Sequence, residues 1–525
     1  MHPGISIHMT QPTTYDVVPY ESFPFPDTHP DRLATLGHLF GLRPPRLANC
    51  RVLELGCASG GNLIPMAISM PDAAFVGIDL STVQVAKGQQ AIAELGLSNI
   101  RLLAISITEI DESLGQFDYI LTHGVYSWVP NEVQEKILSI CARQLTPDGI
   151  AFVSYNTLPG WRMRGMIRDA MRFHAMQFED PALRVGQARG ILDFLAKWVP
   201  SENNAYGMLL QSELEILRNA ADYYILHEHL EDINEPIYFH EFIERAGRHR
   251  LQYLAEADIT TMLASNLPPD VYETLVRIAP DVIRQEQFMD FLRNRTFRQT
   301  LLVRDNHTIV RTLTPERVTA LWVSANLVPA DTNTASSENQ QVFQSPKGGM
   351  MSSSNAVTKA AIQILAACWP GRLAFSDLLA QAKEHMAESG DDHPEGQELG
   401  AASILASDIL QCHLGGLVEL HAGPAPFVSQ AGDFPKASPL AQWQVGKKLN
   451  QLTTLRHEIV NVDEGVGKFL KLLDGTRNRA ALSAEAAALN LPIANTPDSK
   501  EGNSAFEAWV DRILIQLARS SLLLG

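Results

Sequence analysis

The segment Val52–Asn62, VLELGCASGGN, carries the residues whose types and spacing most directly indicate chemistry. An apolar run containing Glu54 is followed by Gly56 and Gly60, which allow a tight turn and a close approach of a ligand to the backbone. Asp79 ends the next apolar run, where its carboxylate can accept hydrogen bonds from both hydroxyls of a ribose. The pattern therefore predicts a nucleoside-binding site.

Three interpretations compete for this loop. Gly56, Ala58 and Gly61 lie on the GxGxxG spacing of enzymes that use NAD. Ala58, however, stands where that fingerprint has the glycine that lets a pyrophosphate approach the backbone. Glu54 instead suits a ligand that carries an ammonium group, as the amino-acid half of S-adenosylmethionine does. The residues favour S-adenosylmethionine as the cofactor, and NAD or a purely structural turn are the alternatives.

The elements around the loop follow an alternating rhythm from Cys50 to Tyr155. Helical stretches separate the strand-like runs RVLELG, AAFVGID, IRLLAI, FDYILTH and GIAFVSY. This alternation is typical of an α/β fold with a doubly wound parallel sheet. In such sheets ligands bind at the carboxyl ends of the strands, where Glu54 and Asp79 are expected to lie.

The remaining chain predicts further domains. The strand rhythm ends after residue 156, and residues 157–330 show mainly amphipathic helical patterns. Residues 331–355 are rich in Ser, Asn and Gln and predict a linker. Residues 356–525 have a helix, helix, strand order that suggests a winged-helix-like domain. We therefore expect domains at 1–156, 157–330 and 356–525.

Composition narrows the classes of partner. The 525 residues include 42 Lys plus Arg and 59 Asp plus Glu, a net charge of −17, which disfavours nucleic acid. The five cysteines form no CxxC pair, and the N-terminus has no secretory signal pattern. No run approaches the length of a membrane span. These features predict a cytoplasmic protein without membrane insertion.

The motifs ELGCASGGN, GIDLS and FDYILTHGVYSWVP resemble those of class I S-adenosylmethionine-dependent methyltransferases. More narrowly, the chain resembles the bacterial family in which this domain precedes a methyltransferase regulatory domain and a winged-helix-like domain, the family of the rickettsial protein lysine methyltransferases. Four further stretches carry this resemblance: 15–42, HGVYSWVP, YNTLPGW and LHEHLEDINEPIYFHEFIERA. A weaker match is DGTRNRAAL near the C-terminus.

The resemblance implies roles for individual residues. Those implied to bind the cofactor are Tyr20, Glu54, Gly56, Ala58, Gly60, Asp79, Leu80, Ser106, Ile107 and His123. Ser106 marks a departure, because the family usually has an acidic residue there that accepts from the adenine amino group. His123 is implied to line the sulfonium and adenosine pocket, although a strand-end histidine bonded to backbone is the alternative.

Four residues at predicted strand ends are candidates for the acceptor side: Tyr126, Trp128, Tyr155 and Asn156. Methyl transfer is a direct displacement that needs a neutral nucleophile held near the methyl carbon. A lysine amine arrives charged, and aromatic faces can hold its ammonium group while burial favours loss of the proton. Ordinary packing is the alternative for Tyr126 and Trp128.

The function expected from these residues is methylation of lysine side chains in a protein substrate. A small-molecule methyltransferase and a non-catalytic module that binds the cofactor are the alternatives, the latter because of Ala58 and Ser106. His227, His229 and His240 lie close in sequence but lack a compact metal-ligand spacing, so no metal is expected. The resemblance also implies a homodimer and a bacterial surface protein as the acceptor.

Overall fold

The computed structural model describes residues 18, 21–330, 340–388, 398–489, 491 and 503–525. Its strands are β1 (Arg51–Leu55), β2 (Ala74–Asp79), β3 (Ile100–Ala104), β4 (Phe117–Thr122), β5 (Leu145–Asn156), β6 (Leu251–Glu256), β7 (Phe297–Arg304), β8 (Trp322–Ser324), β9 (Val328–Pro329), β10 (Gln341–Gln344), β11 (Met350–Ser353), β12 (Leu373–Ala374), β13 (Glu419–His421), β14 (Gln451–Thr453) and β15 (Ile459–Asn461).

The α-helices of the catalytic and central regions are α1 (Pro30–Leu39), α2 (Leu63–Ser69), α3 (Thr82–Leu95), α4 (Asn131–Gln144), α5 (Gly160–Ala175), α6 (Pro181–Trp198), α7 (Ala205–Arg218), α8 (Asp222–Ile225), α9 (Phe239–Arg248), α10 (Pro269–Ile278) and α11 (Val282–Arg293). Those nearer the C-terminus are α12 (Ala356–Cys368), α13 (Phe375–Glu388), α14 (Glu398–Leu414), α15 (Pro439–Gly446), α16 (Glu464–Leu470), α17 (Arg479–Ala488) and α18 (Asn503–Arg519).

A seven-stranded sheet with the order β3-β2-β1-β4-β5-β7-β6 organises the first 304 residues. The first five strands are parallel, whereas β7 runs antiparallel to both β5 and β6. Apolar side chains cover both faces of the sheet: Val52 and Phe75 belong to one buried cluster, and Leu53 and Val76 belong to the other. This two-sided burial explains why the strands read as nearly continuous apolar runs.

The sheet continues beyond the predicted boundary at residue 156. In the β5–β7 ladder Asn156 lies opposite Phe297 and Tyr155 lies opposite Arg298. Strands β6 and β7 follow a long helical stretch, so the alternating rhythm that defines β1–β5 does not extend to them. The region 157–330, which the sequence predicts to be mainly helical with some sheet, thus supplies two strands to the seven-stranded sheet.

A helical layer lies between β5 and β6 in the chain. Helices α5, α6 and α7 bury a separate apolar cluster that includes Ile167, Val185 and Leu210. The chain then passes through a π-helical turn, Leu226–Leu230, before it reaches α9. Such turns are rare and occur frequently at functional sites.

The C-terminal part has two apolar cores. One cluster contains Phe343 and Leu365, and the other contains Phe469 and Trp509. The predicted linker 331–355 includes β10 and β11, which pair with each other, while residues 331–339 lie outside the described residues. The polar composition of this segment predicts a linker although Phe343 lies within it. The ring of Phe343 is buried and packs β10 against the first core.

Candidate active site

A cavity of about 720 Å³ lies at the carboxyl ends of the parallel strands. Ten of the residues that the sequence predicts for the site line this cavity: Glu54, Gly56, Ala58, Asp79, Leu80, Ser106, Ile107, His123, Trp128 and Asn156. The parallel topology explains this convergence, because the loops after β1, β2, β3, β4 and β5 all emerge at the same edge. The cavity volume is in the range of ligand sites.

The loop after β1 forms a tight turn against the loop after β4. Gly56 has φ +79°, and a Cβ added there would lie 2.3 Å from Cγ2 of Val125. Gly60 has φ +78°, and its N–H donates to the carbonyl of Cys57 over 2.8 Å. Gly60 shapes the turn without lining the cavity, whereas Gly56 does both.

Glu54 is the buried carboxylate of the site, with 3% of the residue exposed. Its Oε1 accepts a hydrogen bond from Asn62 Nδ2 over 2.7 Å, and its Oε2 is buried without a hydrogen-bond partner among the described residues. Burial raises the pKa of Glu54 to about 8. An unsatisfied, desolvated carboxylate oxygen in a cavity wall is well suited to a cationic group.

Asp79 joins two loops of the site at the end of β2. Its Oδ2 accepts from the backbone N–H of Ala58 over 2.8 Å, and its Oδ1 accepts from that of Ser81 over 2.9 Å. Leu80 follows with 57% of its surface exposed at the edge of the cavity. The carboxylate is thus fixed in position before a ligand arrives, as the ribose-binding role requires.

Ser106 caps the short 3-10 helix Ile107–Glu109. Its hydroxyl oxygen accepts from the backbone N–H of Thr108 over 3.2 Å, and its own N–H donates to Glu109 Oε2 over 2.8 Å. This capping box gives the Ser106 hydroxyl and N–H partners within their own turn. Ser106 and Ile107 nevertheless form part of the cavity wall.

His123 lies at the end of β4 within an aromatic cluster. The ring centroid of Phe25 is 3.9 Å from that of His123, and Phe297 lies 6.0 Å away on β7. Burial lowers the pKa of His123 to about 4, so the ring is neutral near pH 7. Phe25 lies in the stretch 15–42 that carries the family resemblance, whereas nothing local in the sequence connects Phe297 with His123.

Part of the cavity lining is aromatic and charged. The rings of Trp128 and Trp161 meet edge to face with centroids 6.1 Å apart, and the Arg164 guanidinium lies 5.3 Å from the Trp161 centroid. Tyr224 and Glu228, which interact electrostatically with Arg164, also line the cavity. Sequence reasoning found only Trp128 of these five, because the other four come from the long segment after β5.

Glu228 projects from the π-helical turn Leu226–Leu230. Its carboxylate makes no hydrogen bond or ion pair with any described residue, and burial raises its pKa to about 7. The positive charges of Arg164 and Arg168 oppose that rise. A carboxyl group with a pKa near 7 can bind a cation or exchange a proton with a ligand.

Two predicted acceptor-side residues lie outside the cavity lining. Tyr126 is 0% exposed and packs edge to face on Phe242 with centroids 5.2 Å apart. Tyr155 stacks on the same ring at 4.1 Å, and its hydroxyl lies 3.0 Å from Thr300 Oγ1. Both side chains therefore contribute to the core. Tyr20, which the resemblance implies to bind the cofactor, lies outside the described residues.

The histidines of the regulatory segment have partners of their own. His227 Nδ1 lies 2.8 Å from Glu231 Oε1, and its Nε2 donates to the carbonyl of Val18 over 2.7 Å. His240 Nδ1 lies 2.9 Å from Gln287 Oε1. Within the described ranges, no group of three or more His, Cys, Asp or Glu side chains is arranged to hold a metal ion.

Three family profiles match successive parts of the chain. Residues 52–149 match the methyltransferase domain, residues 221–304 match the predicted methyltransferase regulatory domain, and residues 433–522 match the PKMT C-terminal winged helix domain. The strand order of the seven-stranded sheet and the position of the cavity fit the methyltransferase domain. Fold and site together define a class I S-adenosylmethionine-dependent methyltransferase.

Similar proteins identify the family. A Rickettsia prowazekii protein, RP789, is 36% identical over 475 residues, which cover 89% of this chain and 84% of that protein. A second protein of the same organism, RP028, is 43% identical over 248 residues, which cover 47% of this chain and 99% of that protein. The fold is similar to the structure of PKMT2 from Rickettsia typhi in complex with AdoHcy, with a TM-score of 0.83. The two sequences are 31% identical, and the match covers 97% of this chain and 100% of that one. The chain belongs to the PKMT family of methyltransferases.

S-adenosylmethionine is the cofactor, and the residues of the cavity fit it. The buried Oε2 of Glu54 is placed to meet an ammonium group, and the anchored carboxylate of Asp79 is placed to meet ribose hydroxyls. The preference for S-adenosylmethionine over NAD is confirmed by the methyltransferase profile and by the AdoHcy complex of PKMT2. In the part of the chain that the structure describes, helices lack a stretch long and apolar enough to span a membrane.

Proposed function

We propose that the protein transfers the methyl group of S-adenosylmethionine to the ε-amino group of lysine side chains in a protein substrate. The observation that carries this proposal is Glu228, a carboxylate in the cavity wall that makes no hydrogen bond or ion pair with any described residue. Trp128 and Trp161 line the same cavity. A cavity lined by a carboxylate and aromatic rings suits an ammonium group that must enter charged and react neutral.

The chain's own groups supply the steps that precede transfer. Glu228 binds the lysine ammonium and accepts one proton at its carboxylate, which leaves a neutral amine with a free electron pair. Trp128 and Trp161 orient the amine and exclude water. When bound, the cofactor would supply an activated methyl group for direct displacement, in which the N–C bond would form as the C–S bond breaks and its electron pair stays on sulfur.

A macromolecular acceptor is supported by the size of the appended regions. Two apolar cores beyond the catalytic sheet and a helical layer beside the cavity exceed what a small acceptor needs. The net charge of −17 suits a lysine-bearing partner. We extend the proposal to a bacterial surface protein as acceptor.

Assembly and location form part of the same proposal. Helices α5, α6 and α7 carry exposed apolar side chains, among them Phe173 at 83% and Trp198 at 66% exposure, which suits a homodimer interface. All five cysteines are free thiols, which suits the cytoplasm. Sedimentation analysis of the wild type and of Phe173→Ser tests the dimer, which the variant is expected to weaken.

A labelled-methyl assay tests the substrate class. The enzyme is incubated with S-adenosylmethionine labelled in the methyl group and with protein and low-mass fractions of a bacterial lysate. We expect label in the protein fraction. Label confined to the low-mass fraction would instead support the small-molecule alternative, and the absence of AdoHcy production from every fraction would support a non-catalytic module.

Two variants connect this assay with Glu228. Glu228→Gln is expected to lower the turnover number by about 100-fold or more, the usual size of a general-base contribution. It should also remove the rise in wild-type turnover through about pH 7, where Glu228 ionises. The control Glu244→Gln makes the same charge change on an exposed side chain of α9 and should behave as the wild type. Equal turnover of Glu228→Gln and wild type would exclude this role.

A further inference from the structure

Asn62 connects the cofactor carboxylate with three other parts of the chain. Its Nδ2 donates to Glu54 Oε1 over 2.7 Å and to Thr28 Oγ1 over 3.0 Å. Its Oδ1 accepts from the backbone N–H of Phe25 over 3.0 Å and lies 2.6 Å from His457 Nε2. Asn62 is 2% exposed, and although it precedes α2, its side chain makes no capping bond to that helix.

His457 comes from the C-terminal winged-helix region, in the turn between β14 and β15. It is 3% exposed and adopts a left-handed backbone conformation with φ +64°. Burial, followed by the nearby charge of His29, holds the pKa of His457 well below its usual range, so the ring is neutral. Because a carbonyl oxygen only accepts, Nε2 of His457 must carry the hydrogen and donate to Asn62 Oδ1.

The backbone N–H of Phe25 fixes the orientation of the Asn62 amide. An asparagine amide can rotate by 180° and exchange its donor and acceptor. Because the N–H of Phe25 can only donate, it requires Oδ1 on its side, which leaves Nδ2 facing Glu54 and makes Nε2 of His457 a second donor to Oδ1. With Oε1 held by Asn62, the unpartnered Oε2 of Glu54 remains available to the cavity.

We propose that His457 is a positioning residue of the cofactor site, through which the winged-helix domain holds Asn62 and thereby the carboxylate of Glu54. The proposal extends the cofactor site beyond the methyltransferase domain, and it does not depend on the identity of the acceptor. The C-terminal domain thereby takes part in cofactor binding, a role that the sequence of the methyltransferase domain alone does not indicate.

Other contacts hold the C-terminal region in place when this bond is removed. Lys447 Nζ lies 2.7 Å from Glu94 Oε2 on α3, and Trp443 Nε1 donates to the same oxygen over 2.6 Å. Asp31 on α1 pairs with Arg372 over 3.0 Å. Loss of the His457 hydrogen bond should therefore leave the C-terminal region packed against the methyltransferase domain. An effect on cofactor affinity can then be separated from a loss of this packing.

Calorimetric titration with S-adenosylmethionine tests the proposal in the full chain. His457→Ala should weaken cofactor binding by about tenfold, the effect of one buried hydrogen bond. The Michaelis constant for the cofactor should rise by a similar factor while the turnover number at saturation stays near that of the wild type. His457→Gln retains an Nε2 donor and should recover most of the affinity. The control Lys447→Ala breaks a docking contact away from Asn62 and should bind normally.

A double-mutant cycle with Asn62→Ala separates positioning from general destabilisation. In the Asn62→Ala background, His457→Ala should have no further effect on the dissociation constant, because the two residues act through one connection. Additive effects, an equal loss in Lys447→Ala, or wild-type affinity in His457→Ala would each overturn the proposal. If His457→Ala does not fold, the comparison of His457→Gln with His457→Asn, whose amide is too short to reach Asn62, provides the same test.

Discussion

The backbone N–H of Ala58 donates to Asp79 Oδ2 over 2.8 Å, so that the loop after β1 and the end of β2 form one rigid edge of the cofactor cavity. Ala58 holds this N–H in place with a left-handed backbone conformation, φ +47°. The residue that distinguishes the loop from a dinucleotide fingerprint thus has a structural function of its own: its amide fixes the carboxylate assigned to the ribose.

Asp79→Asn should weaken S-adenosylmethionine binding by about 10- to 100-fold. The amide nitrogen would face a backbone N–H of Ala58 or Ser81, and the charge on the hydrogen-bond acceptor would be lost. Calorimetry measures the change. Asp118→Asn is the matched control, because that carboxylate accepts from the N–H of Arg51 over 2.8 Å at the start of β1 and does not line the cavity. An unchanged dissociation constant in Asp79→Asn would refute the ribose role.

Binding of the cofactor should release a proton from Glu54. Burial raises the pKa of this group to about 8, so near pH 7 it is mostly protonated, and an incoming ammonium group favours the ionised form. The affinity should therefore increase with pH between about 6 and 7.5, with a slope of log affinity approaching one. Titrations in buffers of different ionisation enthalpy measure the release, which Glu54→Gln should abolish. Zero release or proton uptake by the wild type would contradict the assignment.

Trp128→Ala and Tyr155→Phe should affect different properties. Trp128 lines the cavity, so its loss should reduce kcat/KM for the acceptor by about tenfold while cofactor affinity stays near normal. Tyr155→Phe removes the hydrogen bond to Thr300 and should lower the free energy of unfolding by about 1 kcal/mol with unchanged turnover. Steady-state kinetics and urea denaturation measure both. The reverse pattern would place Tyr155 in the reaction and Trp128 in the core.

Arg298, on strand β7, pairs with three buried carboxylates. Its guanidinium lies 2.8 Å from Glu256 Oε1, 3.0 Å from Glu286 Oε2 and 2.8 Å from Asp290 Oδ1. Arg298→Met should lower the free energy of unfolding by about 3–5 kcal/mol, since it leaves buried charges unpaired. The exposed Arg250, which pairs with Asp305, provides a control: Arg250→Met should cost less than about 1 kcal/mol.

The same variant should depend on pH more steeply than the wild type. Burial raises the pKa of Glu286 to about 7 and also raises that of Asp290, and the charge of Arg298 opposes both rises. Without Arg298 both pKa values should lie further above those in the unfolded chain, so the folded state binds more protons. The stability of Arg298→Met should therefore be greatest at low pH and decrease as pH rises through neutrality. Urea denaturation at pH 5.5 and pH 8 measures this difference. Greater stability at pH 8 would show that the carboxylates find other partners.

Local patterns in the sequence were enough to predict the parallel sheet, and most of the residues proposed to bind the cofactor line one cavity. Glu54, Asp79 and His123 end strands or lie beside turn glycines, so topology alone brings them to one edge of the sheet. The antiparallel strands β6 and β7 could not be predicted in the same way, because a long helical layer separates them from β5. Residues such as Phe297 reach the cavity only through that pairing.

The acceptor side was harder to predict because side-chain direction depends on tertiary packing. Tyr126 and Tyr155 occupy the expected strand ends, yet both rings turn toward Phe242 in the core. Glu228 reaches the cavity from a π-helical turn, a backbone geometry without a sequence signature. The bond between Asn62 and His457 joins residues 395 positions apart, and no local pattern could indicate it.

Amino-acid analysis of the labelled acceptor tests lysine methylation most directly. After transfer from methyl-labelled S-adenosylmethionine, the protein fraction is hydrolysed and its amino acids are separated. Lysine methylation predicts that the label elutes as methylated lysine and that Glu228→Gln loses this signal while Glu244→Gln retains it. Label recovered in another amino acid, or as a base-labile ester, with no methylated lysine would contradict the proposed function.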